Sequence, residues 1–151
     1  GGKTTYITLT HSKSGIVATV EATIYEDSAT CEWTVFVENT ADENSPVVKE
    51  LYAADCVIPT GTADVYMSKG SEPAAEDFQL MKSSLSLIPM TLTANGGRTE
   101  SVLPYFNLHG DELSAVLAVG WSGQWYTSLQ QTFDGVKVQA KLEAEQIGFF
   151  S

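Results

Sequence analysis

Hydrophobic and polar residues alternate with period two along most of the chain, and no segment carries a convincing helical period. Ala18, Val20, Ala22 and Ile24 alternate with Thr19, Glu21 and Thr23. Cys31, Trp33, Val35 and Val37 then alternate with Glu32, Thr34 and Glu38. These runs predict two half-buried strands joined by the polar turn Glu26-Asp27-Ser28. Residues 39–46 are polar and rich in turn formers, which predicts a loop. Residues 47–58 are mostly apolar and fit either a pair of core strands or one strand with a bulge, ended by Pro59, Gly61 and Thr62. Val65-Tyr66-Met67 predicts a short strand and residues 69–77 a loop.

The second half is punctuated by stronger turn signals. Met90-Thr91-Leu92-Thr93 runs into Asn95-Gly96-Gly97, where Asn and Gly both tolerate positive φ. Residues 103–108 are aromatic and extended, and residues 113–119 form a nearly continuous apolar run of strand length. Trp125, Leu129 and Phe133 mark a further strand. Asp134-Gly135 then turns the chain into Val136, Val138, Ala140 and Leu142, which alternate with Lys137, Gln139, Lys141 and Glu143. About ten short strands at regular spacing predict an all-β, antiparallel sandwich. Without crossover helices a parallel α/β sheet is excluded.

Composition narrows the class. The 151 residues suit one domain, read as a single β-sandwich over 1–151, and a hydrophobic share of 43% argues against disorder. Nineteen acidic residues oppose eight basic ones, for a net charge of −11. That balance speaks against nucleic acid and against an anionic membrane surface, both of which demand basic patches. No run approaches the roughly 18 apolar residues of a membrane span. The chain opens Gly1-Gly2-Lys3 without Met or a signal peptide, which reads as a tag remnant. Phe149-Phe150 at the other end reads as a packing pair with a following segment removed. Cys31 and Cys56 are too few for a disulfide framework; the expectation is two buried free thiols, or one bridge between neighbouring strands in an oxidising compartment. Neither has ligand-spaced neighbours, so no metal is expected, and no cofactor fingerprint occurs.

Catalytic chemistry is sparse. Sugar hydrolysis usually needs two carboxylates flanking one bond. The closest pairs, Asp42-Glu43, Glu76-Asp77 and Asp111-Glu112, all fall in polar loops, where solvation is the simpler role. His11 precedes the first clear strand and His109 follows Leu108 in a predicted turn, so nothing places them together for nucleophilic or epimerase chemistry. The aromatics are the stronger candidates. Trp121, Trp125 and Tyr126, with Gln124 and Arg98, would make a sugar-stacking platform. The competing role is packing, because strand alternation sends Trp125 inward, and Trp121 at the turn is the better exposed contact.

The segment Gly120-Trp121-Ser122-Gly123-Gln124-Trp125 resembles the signature near the end of the N-terminal domain of family 36 type α-galactosidases, the melibiases. Gly96-Gly97-Arg98-Thr99-Glu100-Ser101 is similar to that family's Gly-Gly-Arg-Ser-Ser stretch, with Thr99 and Glu100 where two serines are usual. Leu103-Pro104-Tyr105-Phe106-Asn107-Leu108 resembles the Leu-Pro-Phe-Phe segment that follows it. Residues 33–39 and 46–51 resemble the strand, Asn-containing turn and Pro that open the same domain. The resemblance implies a β-supersandwich of the galactose-mutarotase-like type, preceding a (β/α)₈ barrel that carries the catalytic aspartates. No part of the chain matches the barrel. The implied role is a non-catalytic N-terminal accessory domain that packs on the barrel and can help form oligomers, with the signature positions Gly120 to Trp125 as barrel-facing or packing residues. The acidic balance fits an extracellular protein, and the expected location is secreted or periplasmic. Two other readings stay open: a carbohydrate-binding module for galactose-containing glycans, and a mutarotase-like epimerase using the two histidines.

Overall fold

The computed structural model describes residues 1–94, 100–121, 123–144 and 147–150. Among them the structure is all-β, with eleven strands in three antiparallel sheets. The chain divides into two compact units, residues 1–50 with the C-terminal segment, and Leu51–Ala144.

The first unit is a three-stranded meander of β1 (Gly2–His11), β2 (Ile16–Tyr25) and β3 (Thr30–Asn39). Strands β2 and β3 and the turn between them follow the predicted alternation. The sequence reading placed no strand at β1, yet Ile7 and Leu9 alternate there with Thr8 and Thr10 and extend the same pattern. Cross-strand rows show the consequence: Ile7 lies beside Val20 and Val35, and Leu9 beside Ala18 and Val37. One face is therefore mostly apolar, and the other, mostly polar, carries Thr4, Thr8, Thr19, Thr23 and Thr34 with Glu21 and Glu32, interrupted by Tyr6, Val17 and Phe36. On that polar face the Tyr25 hydroxyl donates to Glu32, and this bond to a carboxylate pushes the phenol up from its ordinary range. The β1–β2 turn needs Gly15, whose φ is +68° and where a Cβ would sit 2.7 Å from that of Ala41. Val48 forms an isolated bridge to Ile147, and Ser45 and Phe149 exchange two hydrogen bonds. Phe149 is half-buried there, while Phe150 is exposed.

The second unit contains two four-stranded sheets packed face to face. One has the order β4 (Tyr52–Ile58), β11 (Gly135–Leu142), β10 (Trp125–Thr132), β7 (Met90–Thr93). The other has the order β6 (Leu80–Ser84), β5 (Ala63–Ser68), β8 (Tyr105–Gly110), β9 (Ser114–Ala118). Alternation decides the core: Ala63, Val65 and Met67 of β5 and Phe106 and Leu108 of β8 meet Trp125, Leu129, Val136 and Val138 of the opposite sheet. Phe106 and Trp125 touch edge to face with ring centroids 5.8 Å apart. At one end of this core Gln131 turns inward and links the sheets. Its Oε1 accepts from the Ala63 N–H at 3.0 Å, and its Nε2 donates to the carbonyls of Gly61 at 2.9 Å and Gly135 at 3.1 Å.

Several sequence expectations shift here. The apolar run over residues 47–58 resolves into the Val48 bridge and strand β4, whose register slips opposite Ala140 and Lys141. Strand β6, short and half polar, was not anticipated. Neither cysteine is buried; both are exposed free thiols. Cys56 points to the core side of its sheet, but β4 is an edge, so its partner Val138 is buried and Cys56 is not. Partial burial, and then the charge of Asp55, push the Cys56 thiol up, which makes it a poor nucleophile. His109 lies within β8, paired with Ser114 and Asp64, and not in a turn. The predicted turn at residues 95–97 lies outside the described residues.

Candidate functional site

The signature segment connects β9 to β10 and carries the chain from one sheet of the second unit to the other. Trp121 is 57% exposed, and its indole lies over Gly123, where an added Cβ would come within 2.6 Å of the ring. Glycine at 123 is what allows the indole to lie flat on the backbone. Gln124 is exposed, and its carbonyl accepts from the Glu143 N–H at 3.2 Å. Trp125, only 1% exposed, belongs to the core. Tyr126, next in the strand, faces the opposite way. It pairs with Lys141 on β11 and Thr93 on β7. Arg98 and Ser122 lie outside the described residues.

The postulated sugar platform is therefore not one surface. Successive strand residues point to opposite faces, so Trp125 and Tyr126 cannot stack on the same ligand. A buried Trp125 offers no face to a sugar; its place in the core is the correction to its candidacy as a contact. Tyr126 has a different set of neighbours, which sequence reasoning missed. Lys141 Nζ sits 5.2 Å from the ring centroids of both Tyr52 and Tyr126, so the ammonium occupies the space between two aromatic faces. The pairing of Lys141 with Tyr126 follows from hairpin register, but Tyr52 comes from the far side of β11 through the β4 slip.

A second polar cluster lies on the outer face of the other sheet. Lys82 Nζ is 2.7 Å from Asp64 Oδ2, and the Ser84 hydroxyl donates to Asp64 Oδ1 at 2.6 Å. Lys82 also sits 5.3 Å from the Tyr66 ring centroid, and Tyr66 meets His109 edge to face. His109 Nδ1 is 3.2 Å from the Ser114 hydroxyl. A shallow groove beside them is lined by Thr62, Ala63, Asp64, His109, Gly110 and Asp111. Hydrogen bonds from Lys82 and Ser84 hold the Asp64 carboxyl below its ordinary range, and the same pairing raises Lys82. Both groups thus stay charged near neutrality. An acid catalyst needs a raised carboxyl, and the shift here runs the other way.

Of the remaining candidates, Asp77 and His11 have local partners. Asp77 is held below its ordinary range by the Glu72 N–H and the Ser71 hydroxyl, which closes the loop after β5. Asp42, Glu43, Asp111 and Glu112 are exposed. His11 ends β1 with its Nδ1 2.7 Å from the Ser14 hydroxyl. Among the described residues no group of three or more His, Cys, Asp or Glu is arranged to hold a metal ion, and no helix is long and apolar enough to cross a membrane.

No protein-family model matches the sequence, and no curated protein matches it. The fold does have a solved counterpart. The chain superimposes on the GH36 α-galactosidase AgaA from Geobacillus stearothermophilus with a TM-score of 0.81 and 14% sequence identity. The match covers 99% of this chain and 22% of that one, so this chain has the fold of a small part of a larger glycoside hydrolase.

Proposed function

We propose that this chain is the non-catalytic N-terminal accessory domain of an α-galactosidase-like glycoside hydrolase, and that it packs on a (β/α)₈ catalytic barrel. The observation that carries this reading is the coverage of the structural match: nearly all of this chain corresponds to a minor part of an α-galactosidase. The Gly120 to Trp125 segment supports it, as a connection that seats Trp125 in the core and leaves Trp121 exposed for a neighbouring domain. The two polar clusters support it from the other side, because their charged groups are already paired within the chain. The test is to assay an aryl α-galactoside with purified residues 1–151 and with the full-length gene product. The expected outcome is turnover by the longer protein only. Turnover by residues 1–151, at a level that repeated purification does not reduce, overturns the reading.

A second reading, binding of galactose-containing glycans, rests on the exposed Trp121 indole. Titration with galactose, followed by Trp fluorescence in native protein and in Trp121→Ala, decides it. No spectral change up to millimolar sugar removes it.

A further inference from the structure

The edge of a β-sheet carries unpaired N–H and C=O groups, and natural sheets guard such edges with charge, proline, bulges or short strands. Three edges of the second unit are guarded in this way. Strand β4 carries Asp55 and a register slip, β6 carries Lys82, and β7 has four residues. The fourth edge, β9, reads Ser114-Ala115-Val116-Leu117-Ala118, with neither a charge nor a proline, and its pairing with β8 runs without a slip.

The direction of the free groups follows from the ladder. The Val119 N–H donates to the Pro104 carbonyl at 2.9 Å, so Val119 and Pro104 are a hydrogen-bonded pair. Such pairs alternate in an antiparallel ladder. Leu117 with Phe106 and Ala115 with Leu108 are then the next bonded pairs, and Ser114, Val116 and Ala118 aim their backbone groups away from β8. Apolar surface flanks this open edge. Val116 is 74% exposed, and Leu113 before the strand and Trp121 after it are exposed as well.

We propose that β9 is not an edge in the complete protein: an extended strand from another part of the same polypeptide, outside residues 1–151, pairs with it antiparallel or parallel through Ser114, Val116 and Ala118. This rests on the proposed function, because the occupant comes from the longer enzyme. The matched α-galactosidase supplies the reason for that occupant, since a chain of this fold accounts for 22% of it. A second copy of this chain is the weaker occupant, because each copy brings a net charge of −11 and repels the other.

Hydrogen exchange tests the proposal on residues 1–151 and on the full-length gene product. The amides of Ser114, Val116 and Ala118 exchange fast in residues 1–151 and at least about a hundredfold slower in the full-length protein, as expected when a fraying edge becomes an interior strand. Val116→Lys leaves the circular dichroism of residues 1–151 unchanged, because that side chain is exposed, and reduces protection of β9 in the longer protein. A longer protein with active catalytic part and fast β9 amides overturns the pairing while leaving the proposed function intact. A gene product with no catalytic part overturns both. Protection of β9 in residues 1–151 that rises with protein concentration identifies a second copy and overturns the assignment of the occupant.

Discussion

At the scale of single residues, Trp125 Nε1 and Thr127 Oγ1 in the core of the second unit have no hydrogen-bond partner among the described residues. A buried group that has lost water and gained no partner costs about 1–3 kcal/mol. Thr127→Val keeps the shape and removes the orphaned hydroxyl, so it is expected to raise stability by about 1 kcal/mol, read from the urea midpoint at unchanged m value. Gln131 is the opposite case, a polar side chain that satisfies backbone groups of Gly61, Ala63 and Gly135. Gln131→Ala leaves those groups stranded and is expected to cost about 2 kcal/mol in the same measurement. Asp64 makes a pH prediction. Its carboxyl is held low in the folded chain by Lys82 and Ser84, so the stability it adds is present above the unfolded value and is lost as pH falls through the folded one. Thermal melts at successively lower pH are expected to show a shallower acid decline in Asp64→Asn than in the native sequence.

Elements obey a different logic, in which a turn or a register matters more than any one contact. The β10–β11 hairpin pairs Thr132 with Gly135 around Phe133 and Asp134. Gly135 has a φ of +129°, and a Cβ there would stand 2.1 Å from the Ile58 carbonyl oxygen on β4. The glycine thus serves both the turn and the approach of a neighbouring strand. Gly135→Ala is expected to cost about 2 kcal/mol or more, and to loosen β4 first, visible as faster amide exchange in Tyr52–Ile58 than elsewhere. The strands that escaped sequence reading are instructive in the same way. Strand β1 alternates only from Ile7 to Thr10, and Gly2 to Thr5 ahead of it supply no apolar position to extend the pattern. Strand β6 had little to read, because five half-polar residues at a sheet edge carry too short a pattern to stand apart from a loop.

For the whole molecule, the dominant quantity is charge. A net charge of −11 on 151 residues repels itself in the folded state, and ion pairs such as Lys82 with Asp64 and Lys137 with Asp55 involve partly exposed groups. Salt screens long-range repulsion more than it weakens such close pairs. Raising sodium chloride from low to physiological ionic strength is therefore expected to increase the melting temperature, and a decrease would show that the pairs dominate. The same charge opposes association of two copies of the chain, which is why the proposed partner of β9 is a strand from the same polypeptide.

Much of this protein was legible along the chain. Period-two alternation located β2, β3, β10 and β11, short apolar or aromatic runs located five further strands, Asp134-Gly135 marked a hairpin, and alternation sent Trp125 inward. Those features are local, set by side-chain direction and turn geometry over a few residues. What the tertiary structure decided is non-local. It made β4 an edge and so left Cys56 exposed despite its place on the core side. It put Lys141 between Tyr126 and Tyr52, and it joined Gln131 to Ala63 across 68 residues of sequence. It also showed β9 at the rim of its sheet. Hydrophobic periodicity says that a strand has an inner face, but it carries no record of which strands lie beside it, and burial depends on those neighbours.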